Sequence, residues 1–182
     1  MAGEGGPVDL RPAGQADRRR FYDWLRGFDG TPAHDGLPDF EMFSGAEEDF
    51  FFDGTAPHKG RYFVIVDHSG RDVGCISYTC FHLRPGMAEF DLWLAGESLC
   101  GRGYGTAAIR ALLETVRRDL GVHTVLIRPS KRNARAIRAY AKSGFGPMPG
   151  QIADYMLPEY LASYGDGDFG IEETYNLTRF LV

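Results

Sequence analysis

Residues 100–106 read Cys-Gly-Arg-Gly-Tyr-Gly-Thr, and this glycine loop guides the interpretation of the whole chain. It stands between an apolar segment, Phe90 to Ala95, and an amphipathic segment, Thr106 to Leu120. Glycines at alternate positions leave the backbone N–H groups open to an anion at the beginning of a helix, where the helix dipole already favours negative charge. The loop therefore indicates a site for a phosphate or pyrophosphate group.

The size and composition of the chain are those of one ordinary globular domain. It has 182 residues, of which 43% are hydrophobic and 25% are charged, so we expect a single domain over residues 1–182. No apolar run approaches the roughly 20 residues of a membrane span, and no apolar leader follows Met1. Three cysteines are too few for a disulfide framework or a zinc site. We expect a cytoplasmic protein, a monomer or homodimer, with no metal and no membrane or nucleic-acid partner.

The charges are distributed unevenly along the chain. Residues 1–60 carry a net charge of −6, residues 61–150 carry +6, and residues 151–182 carry −5. The basic middle contains the glycine loop. This pattern favours a polyanionic cofactor held by the middle of the chain and a cationic substrate attracted to the acidic flanks. Surface charge with an accidental bias is the alternative.

Hydrophobic periodicity predicts a sheet of short strands with helices beside it. Three segments joined by Ser-Gly and Pro-Gly turns are typical of an antiparallel meander, and a further strand completes a β-loop-α-β crossover after the glycine loop. The predicted strands are 8–11, 61–67, 73–82, 88–95, 122–127 and 175–182. The predicted helices are 15–27, 39–53, 106–120 and 133–143, and residues 30–38 are predicted to form a loop.

Two common glycine-loop motifs do not fit. A P-loop ends in Gly-Lys-Ser or Gly-Lys-Thr, which is missing here. A Rossmann fingerprint follows the first strand of a parallel sheet, whereas antiparallel strands precede this loop, and its third glycine comes one residue early.

The segments LCGRGYGTAAIRALL and RNARAIRAYAKSGF together resemble the GCN5-related N-acetyltransferase (GNAT) superfamily. Its members have an Arg/Gln-x-x-Gly-x-Gly/Ala loop for the pyrophosphate of acetyl-CoA and, downstream, an Asn-x-x-Ala-x-x-x-Tyr helix ending in Gly-Phe. The resemblance covers Ala88 to Phe145 and implies an α+β fold with a mixed, mostly antiparallel central sheet flanked by helices. The first position of the loop motif departs from the pattern, because Cys100 stands where the family has Arg or Gln.

The resemblance implies which residues contact acetyl-CoA. Trp93, Leu94 and Ala95 would line the pantetheine and thioester where the sheet splays after Ala95, and Asn133 would cap its helix, bind the pantetheine, or do both. The pyrophosphate would lie on the loop, formed by Gly101, Arg102, Gly103, Tyr104, Gly105 and Thr106. Tyr140 would act as the acid that protonates the leaving thiolate.

Within the superfamily, the chain is most similar to aminoglycoside 6′-N-acetyltransferases. The segment DLWLA, which begins at Asp91, resembles a strand of theirs in which an aspartate lies close to the acceptor amine. Asp91 is thus the first candidate for the base that accepts the amine proton, and Glu89, on the same strand face, is the second. An aspartate that those enzymes carry on the next strand corresponds here to Arg128.

The acidic segment near the C-terminus, residues 154–173, contains interleaved tyrosines. Such a segment is suited to a lid over a cationic substrate, with Asp168 and Glu172 as candidate substrate-binding residues, although a mobile acidic loop has the same composition. We expect an enzyme that transfers acetyl from acetyl-CoA to a primary amine of a small cationic molecule, aminoglycoside-like or polyamine-like. The alternatives are acetylation of a protein N-terminus or lysine and non-catalytic CoA binding.

Overall fold

The computed structural model describes residues 8–27, 39–46 and 48–182, so the predicted loop at 30–38 lies outside the described residues. Seven strands form one sheet in the order β1-β2-β3-β4-β5-β7-β6. The strands are β1 (Asp9–Pro12), β2 (Gly60–Val66), β3 (Asp72–Thr79), β4 (Met87–Leu94), β5 (Thr124–Ile127), β6 (Gly146–Pro147) and β7 (Leu177–Phe180). The helices are α1 (Asp17–Arg26), α2 (Phe40–Ala46), α3 (Phe50–Asp53), α4 (Tyr104–Leu120), α5 (Ala134–Lys142) and α6 (Leu161–Tyr164).

The predicted fold class is confirmed. Strands β1 to β4 are antiparallel neighbours, as the meander required, and β4 and β5 form the single parallel pair among the described strands, as the crossover required. The two-residue strand β6 was not predicted, since two residues carry no periodicity. The predicted helix at 39–53 is wrong: α2 and α3 are separate helices, and Gly45 in the last turn of α2 disfavours continuation.

Two apolar clusters cover the two faces of the sheet. On one face, α4 and α5 pack against alternate residues of β4, which include Ala88, Phe90 and Leu94. On the other face, α1 and α3 form an aromatic cluster centred on Phe21, whose ring lies 5.5–6.3 Å from those of Trp24, Phe52, Tyr62 and Trp93. Side chains of the helices therefore cover both faces of the sheet at β2 and β3. An opening for a ligand would have to lie at the next strand in the sheet order, β4.

Replacement of Leu112, a residue of α4 with 0% exposure, tests the core on the α4 face. Leu112→Ala leaves a cavity between α4 and the sheet, and we expect the free energy of unfolding to fall by about 2–5 kcal/mol. Urea unfolding followed by circular dichroism measures this change. Ile171→Ala is the matched control, because Ile171 is 70% exposed and its truncation should change stability by less than about 0.5 kcal/mol. Equal effects of the two changes would contradict this description of the core.

Candidate active site

Strands β4 and β5 separate halfway along β4. Their pairing runs from Met87 opposite Thr124 to Phe90 opposite Ile127, and the last four residues of β4 have no partner on that side among the described strands. The chain after Ile127 continues with Arg128 and Pro129. Beyond Ile127 the chain stays bonded on its other side, since the carbonyl of Pro129 accepts the N–H of Tyr175 at 2.8 Å, whereas the register with β4 ends at Phe90. A gap thus opens in the middle of the sheet.

Along β4, the backbone N–H and C=O groups of successive residues point alternately toward β3 and toward this gap. The N–H of Ala95 donates to the carbonyl of Val73 at 2.9 Å, and the register with β3 has no bulge. Alternation therefore directs the backbone groups of Trp93 toward β3 as well, and those of Leu92 and Leu94 toward the gap. The gap begins earlier than the expected point after Ala95. Trp93, Leu94 and Ala95 were expected along the pantetheine, and of these three residues only Leu94 has a backbone that faces the gap.

The glycine loop lies directly beside the gap. Gly101 and Gly103 have φ values of 74° and 86°, which disfavour other residues, and α4 begins at Tyr104, two residues earlier than predicted. A Cβ on Gly105 would lie 3.6 Å from a methyl group of Leu92, so the first turn of α4 packs against the unpaired half of β4. The sequence thus places a helix N-terminus, with its backbone donors, at the edge of the opening.

A cleft of about 1880 Å³ passes through the gap and reaches both faces of the sheet. Five of the six candidate pyrophosphate-binding residues line it, and Arg102 is exposed and is not among the lining residues. Positive charge comes instead from α4 and α5, which contribute Arg110, Arg135, Arg138 and Lys142. The cleft therefore combines bare backbone donors with cationic side chains on the α4–α5 face, a combination that fits a phosphorylated ligand.

Cys100 adds no charge to the loop. Its Sγ lies 4.0 Å from the carbonyl oxygen of Gly96. Burial raises the pKa of this thiol, and the Arg135 charge offsets the effect only in part. Cys100 is thus a neutral, partly buried thiol at neutral pH, rather than a nucleophile or a cationic phosphate ligand.

The two candidate catalytic residues, Asp91 and Tyr140, face the same cleft. Asp91 is exposed, and its Oδ1 accepts the N–H of Leu92 at 2.8 Å, so the carboxylate lies at the edge of the gap. Tyr140, on α5, is 7% exposed. Burial raises the pKa of its phenol, and the nearby negative charge of Asp91 raises it further. The phenol therefore keeps its proton at neutral pH.

Asn133 both caps α5 and lines the cleft. Its side-chain oxygen accepts the N–H of Ala136 at 3.0 Å, which confirms the predicted N-cap. The cap anchors the N-terminal end of the helix that carries Tyr140. Arg132, which directly precedes this cap, lies outside the cleft, in an exposed ion pair with Glu173.

Glu89 is held by two neighbouring side chains. Arg128 donates two hydrogen bonds to its carboxylate, from Nε at 2.7 Å and from Nη2 at 3.0 Å, and the Nε2 of His82 lies 2.7 Å from Oε2. Desolvation would raise the pKa of Glu89, but the hydrogen bond with His82 and the charge of Arg128 outweigh it and hold the pKa below its usual value. Glu89 is therefore a paired carboxylate rather than a free base.

The network extends to the acidic segment near the C-terminus. Nη1 of Arg128 donates to the carbonyl oxygens of Tyr164 and Gly165, at 2.8 and 3.3 Å. Asp168 lines the cleft and keeps an exposed surface, yet desolvation by neighbouring protein atoms and the charge of Glu89 raise its pKa. Glu172 is not among the lining residues, and its carbonyl accepts a hydrogen bond from Lys131. Of the two candidate substrate carboxylates, the structure brings Asp168 to the cleft.

Several lining residues were not singled out from the sequence. His82 was left without a role, and Arg128 was treated only as a departure from the aminoglycoside enzymes. The aromatic residues Phe50 and Phe81 of the acceptor side also escaped notice, and they were not connected with Tyr160 of the acidic segment, although all three line the cleft. The available signal was Arg128 itself, since a charged residue directly after a fully buried strand requires a partner.

The chain matches the family described as "Acetyltransferase (GNAT) domain" over residues 8–146. The chain belongs to this family. No described helix is long and apolar enough to cross a membrane, and no group of three or more His, Cys, Asp or Glu side chains in the described ranges could hold a metal ion.

One curated relative is the aminoglycoside N(6′)-acetyltransferase type 1 of Klebsiella pneumoniae, which is 44% identical over 61 residues. Those residues are 34% of this chain and 30% of that protein, so the match spans about a third of the relative.

Two solved structures have the same fold along nearly their whole length. Aminoglycoside acetyltransferase AAC(6′)-Ib in complex with coenzyme A has a TM-score of 0.67 and 22% identity, with 95% of this chain and 94% of that chain covered. Spermidine N-acetyltransferase from Vibrio cholerae, in complex with CoA and spermine, has a TM-score of 0.65 and 15% identity, with 95% of both chains covered.

The Glu89 network predicts an acid-dependent loss of stability. Because folding lowers the pKa of Glu89 below its ordinary value of 4.5, the unfolded chain takes up the proton more readily than the folded chain does. This stabilisation is complete above about pH 4.5 and is lost as the pH falls through the lower folded-state pKa. We expect Glu89→Gln to lower the free energy of unfolding at pH 7 and to differ progressively less from the unmodified protein between pH 5 and pH 3.

Urea unfolding of both proteins at each pH measures this difference. A difference that stays constant down to pH 3 would show that Glu89 is not held ionised by its partners. Asp119→Asn serves as a control for surface charge, because the ion pair of Asp119 with Arg118 is exposed and should contribute little at any pH.

Proposed function

We propose that this chain is an acetyl-CoA-dependent N-acetyltransferase that acetylates a primary amine of a small cationic molecule. The observation that carries the proposal is the meeting of Asp91 and Tyr140 in one gap of the sheet, beside the glycine loop. The protein would work as a single domain in the cytoplasm, where acetyl-CoA is available, as a monomer or homodimer.

The cleft fits acetyl-CoA. The loop residues Gly101, Gly103 and Gly105 leave room for a pyrophosphate at the N-terminus of α4, and Arg135 and Arg138 offer positive charge on the same face. Leu94 would offer its backbone N–H to the acyl carbonyl oxygen, where negative charge develops. Cys100 leaves the backbone donors of the loop in place, so the departure from the family pattern is compatible with binding.

The chemistry requires one proton acceptor and one proton donor. Acetyl-CoA supplies an acyl group activated as a thioester. A primary amine with a pKa of about 10 is mostly protonated at pH 7, so the ammonium group first loses one proton to Asp91, which passes it to solvent, and the freed lone pair attacks the thioester carbonyl. The nitrogen loses its second proton as the amide forms, which balances the proton that Tyr140 gives to the sulfur. Tyr140 donates its phenolic proton to the departing sulfur as the C–S bond breaks. The charge of Asp91 and the burial of Tyr140 both keep that proton on the phenol until it is needed.

The acceptor reaches Asp91 from the face of the sheet opposite α4. Asp91 shares that face with Glu89 and Trp93, and Asp168 lies at the same cleft. Because Glu89 is paired with Arg128, Asp91 and Asp168 are the carboxylates that we assign to the incoming ammonium group, and Glu172 is left without a role in binding.

Release of free thiol from acetyl-CoA tests the proposed activity. We expect turnover with small amines and none with peptides that offer only an N-terminus or a lysine, because the acceptor side of the cleft is flanked by Tyr160 and Tyr164 of the C-terminal segment. A preference for peptides would contradict the small-molecule assignment. Tight CoA binding without release of thiol from any amine would indicate a non-catalytic CoA-binding protein.

Tyr140→Phe tests the proton donor. The change removes the hydroxyl and keeps the ring that packs 6.4 Å from that of Phe145, so the fold should persist. We expect kcat to fall about 100-fold, with the KM for acetyl-CoA unchanged. Tyr155→Phe is the control, since the Tyr155 hydroxyl bonds to the Pro149 carbonyl and is not at the cleft. An unchanged kcat in Tyr140→Phe would assign Tyr140 to the core alone.

A further inference from the structure

The acceptor side of the cleft has less free negative charge than its sequence indicates. Glu89 is one of its carboxylates, and both of its oxygens bond to Arg128, whose side chain is 6% exposed, while His82 bonds to one of them. A bidentate pair of this kind leaves no net charge for a ligand. Where the aminoglycoside enzymes have an aspartate, this chain therefore has a cation that neutralises an existing carboxylate.

The other carboxylates of the acceptor side could compensate the charge of only a few ammonium groups. Asp91 lies at the gap and Asp168 lines the cleft, where desolvation and the charge of Glu89 raise the pKa of Asp168. Glu48 and Lys59 also line this side, with opposite charges. A ligand with three or more positive charges needs a carboxylate near each of them to compensate for lost hydration. Among the described lining residues only Glu48, Asp91 and Asp168 remain besides the paired Glu89, and Lys59 offsets one of these charges.

Aromatic rings form much of the acceptor side. We name as the aromatic wall the rings of Phe50, Phe81, Tyr160 and Tyr164, all of which line the cleft. The ring of Phe81 is central, since its centroid lies 6.4 Å from that of Phe50, 5.4 Å from that of Tyr160 and 5.6 Å from that of Tyr164. The wall is only partly covered, and Tyr164 remains 39% exposed.

The Arg128 network holds this wall in place. The ring of Tyr164 stacks on that of His82 at 5.1 Å, with an angle of 27° between their planes, and its carbonyl accepts a hydrogen bond from Arg128. The residue that removes the charge of Glu89 therefore also fixes one ring of the wall. Along β4, Glu89 lies two residues, or about 6.6 Å, from Asp91, so the wall begins close to the proposed base.

We infer that the acceptor is a primary amine with one positive charge on an aromatic body, whose ring packs against the aromatic wall while its nitrogen reaches Asp91. The inference rests on the proposed function and narrows its substrate class. Ring packing of this kind provides apolar contact without added charge, which suits a site whose second carboxylate is neutralised. The carboxylate of Asp91 pairs with the single ammonium group of the acceptor before that group loses a proton.

Four amines separate the contribution of the ring from that of the charge. We would measure thiol release with 2-phenylethylamine, n-butylamine, spermidine and kanamycin. We expect the highest kcat/KM with 2-phenylethylamine, about 5-fold or more above that with n-butylamine, which has the same charge without the ring. A higher kcat/KM with spermidine or kanamycin than with 2-phenylethylamine would overturn the inference, as would equal values for the two monoamines.

Variants at Tyr164 locate the effect. Tyr164→Ala should remove most of the advantage of 2-phenylethylamine over n-butylamine, and Tyr164→Phe should keep it, because the ring alone carries the contact. Phe180→Ala is the matched control, since Phe180 is 58% exposed and is not among the residues of the cleft. The KM for acetyl-CoA should stay constant in all three. An advantage that persists in Tyr164→Ala counts against the wall as the binding surface.

Failure of the proposed function is distinguishable from failure of this inference. If no amine releases thiol, the transferase assignment fails, and the melting temperature at saturating CoA then reports amine binding directly. A larger increase in melting temperature with 2-phenylethylamine than with the other three amines would still support the inference. A larger increase with spermidine or kanamycin would overturn it.

Discussion

The separation of β4 from β5 is the feature on which the rest of the site depends. A sheet with paired strands has no space for a ligand in its plane, because each backbone group bonds to its neighbour. Here the pairing ends at Phe90 and Ile127, while the chain beyond β5 stays bonded to its other neighbour through the carbonyl of Pro129 and the N–H of Tyr175. The backbone of Leu92 and Leu94 then faces the gap, the N-terminus of α4 packs at its edge, and Asp91 and Tyr140 both line it.

The end of β5 also determines the character of the acceptor side. Arg128 leaves the strand where pairing stops, turns to Glu89 and donates to the carbonyls of Tyr164 and Gly165. A buried ion pair of this kind contributes modestly to stability, since desolvation of both charges offsets much of their attraction. Its larger effect is on ligand selection, because it offsets the charge of Glu89 and bonds to the backbone of Tyr164, whose ring stacks on that of His82.

Local signals predicted the parts of the fold that depend on neighbours in sequence. The glycine loop, the stripe of α4 and the Asn133 cap were recognisable because their partners lie within a few residues. The superfamily was predicted from the resemblance of LCGRGYGTAAIRALL and RNARAIRAYAKSGF to its motifs, and the match over residues 8–146 confirms it.

The features that were not predicted depend on residues far apart in the chain. Glu89 and Arg128 are separated by 39 positions, and nothing in the periodicity of either strand indicates that they meet. The aromatic wall joins Phe50 and Phe81 to the C-terminal segment in the same way. The expectation that the sheet would splay only after Ala95 was wrong, because β5 ends at Ile127, opposite Phe90 and four residues before the end of β4.

A crystal structure of the protein with CoA would test the central claim most directly. The claim predicts the pantetheine in the gap between β4 and β5, its pyrophosphate on residues 101–106, and its sulfur within about 4 Å of the Tyr140 hydroxyl, close enough for proton donation. CoA bound elsewhere on the sheet, or a sulfur remote from both Tyr140 and Asp91, would contradict it.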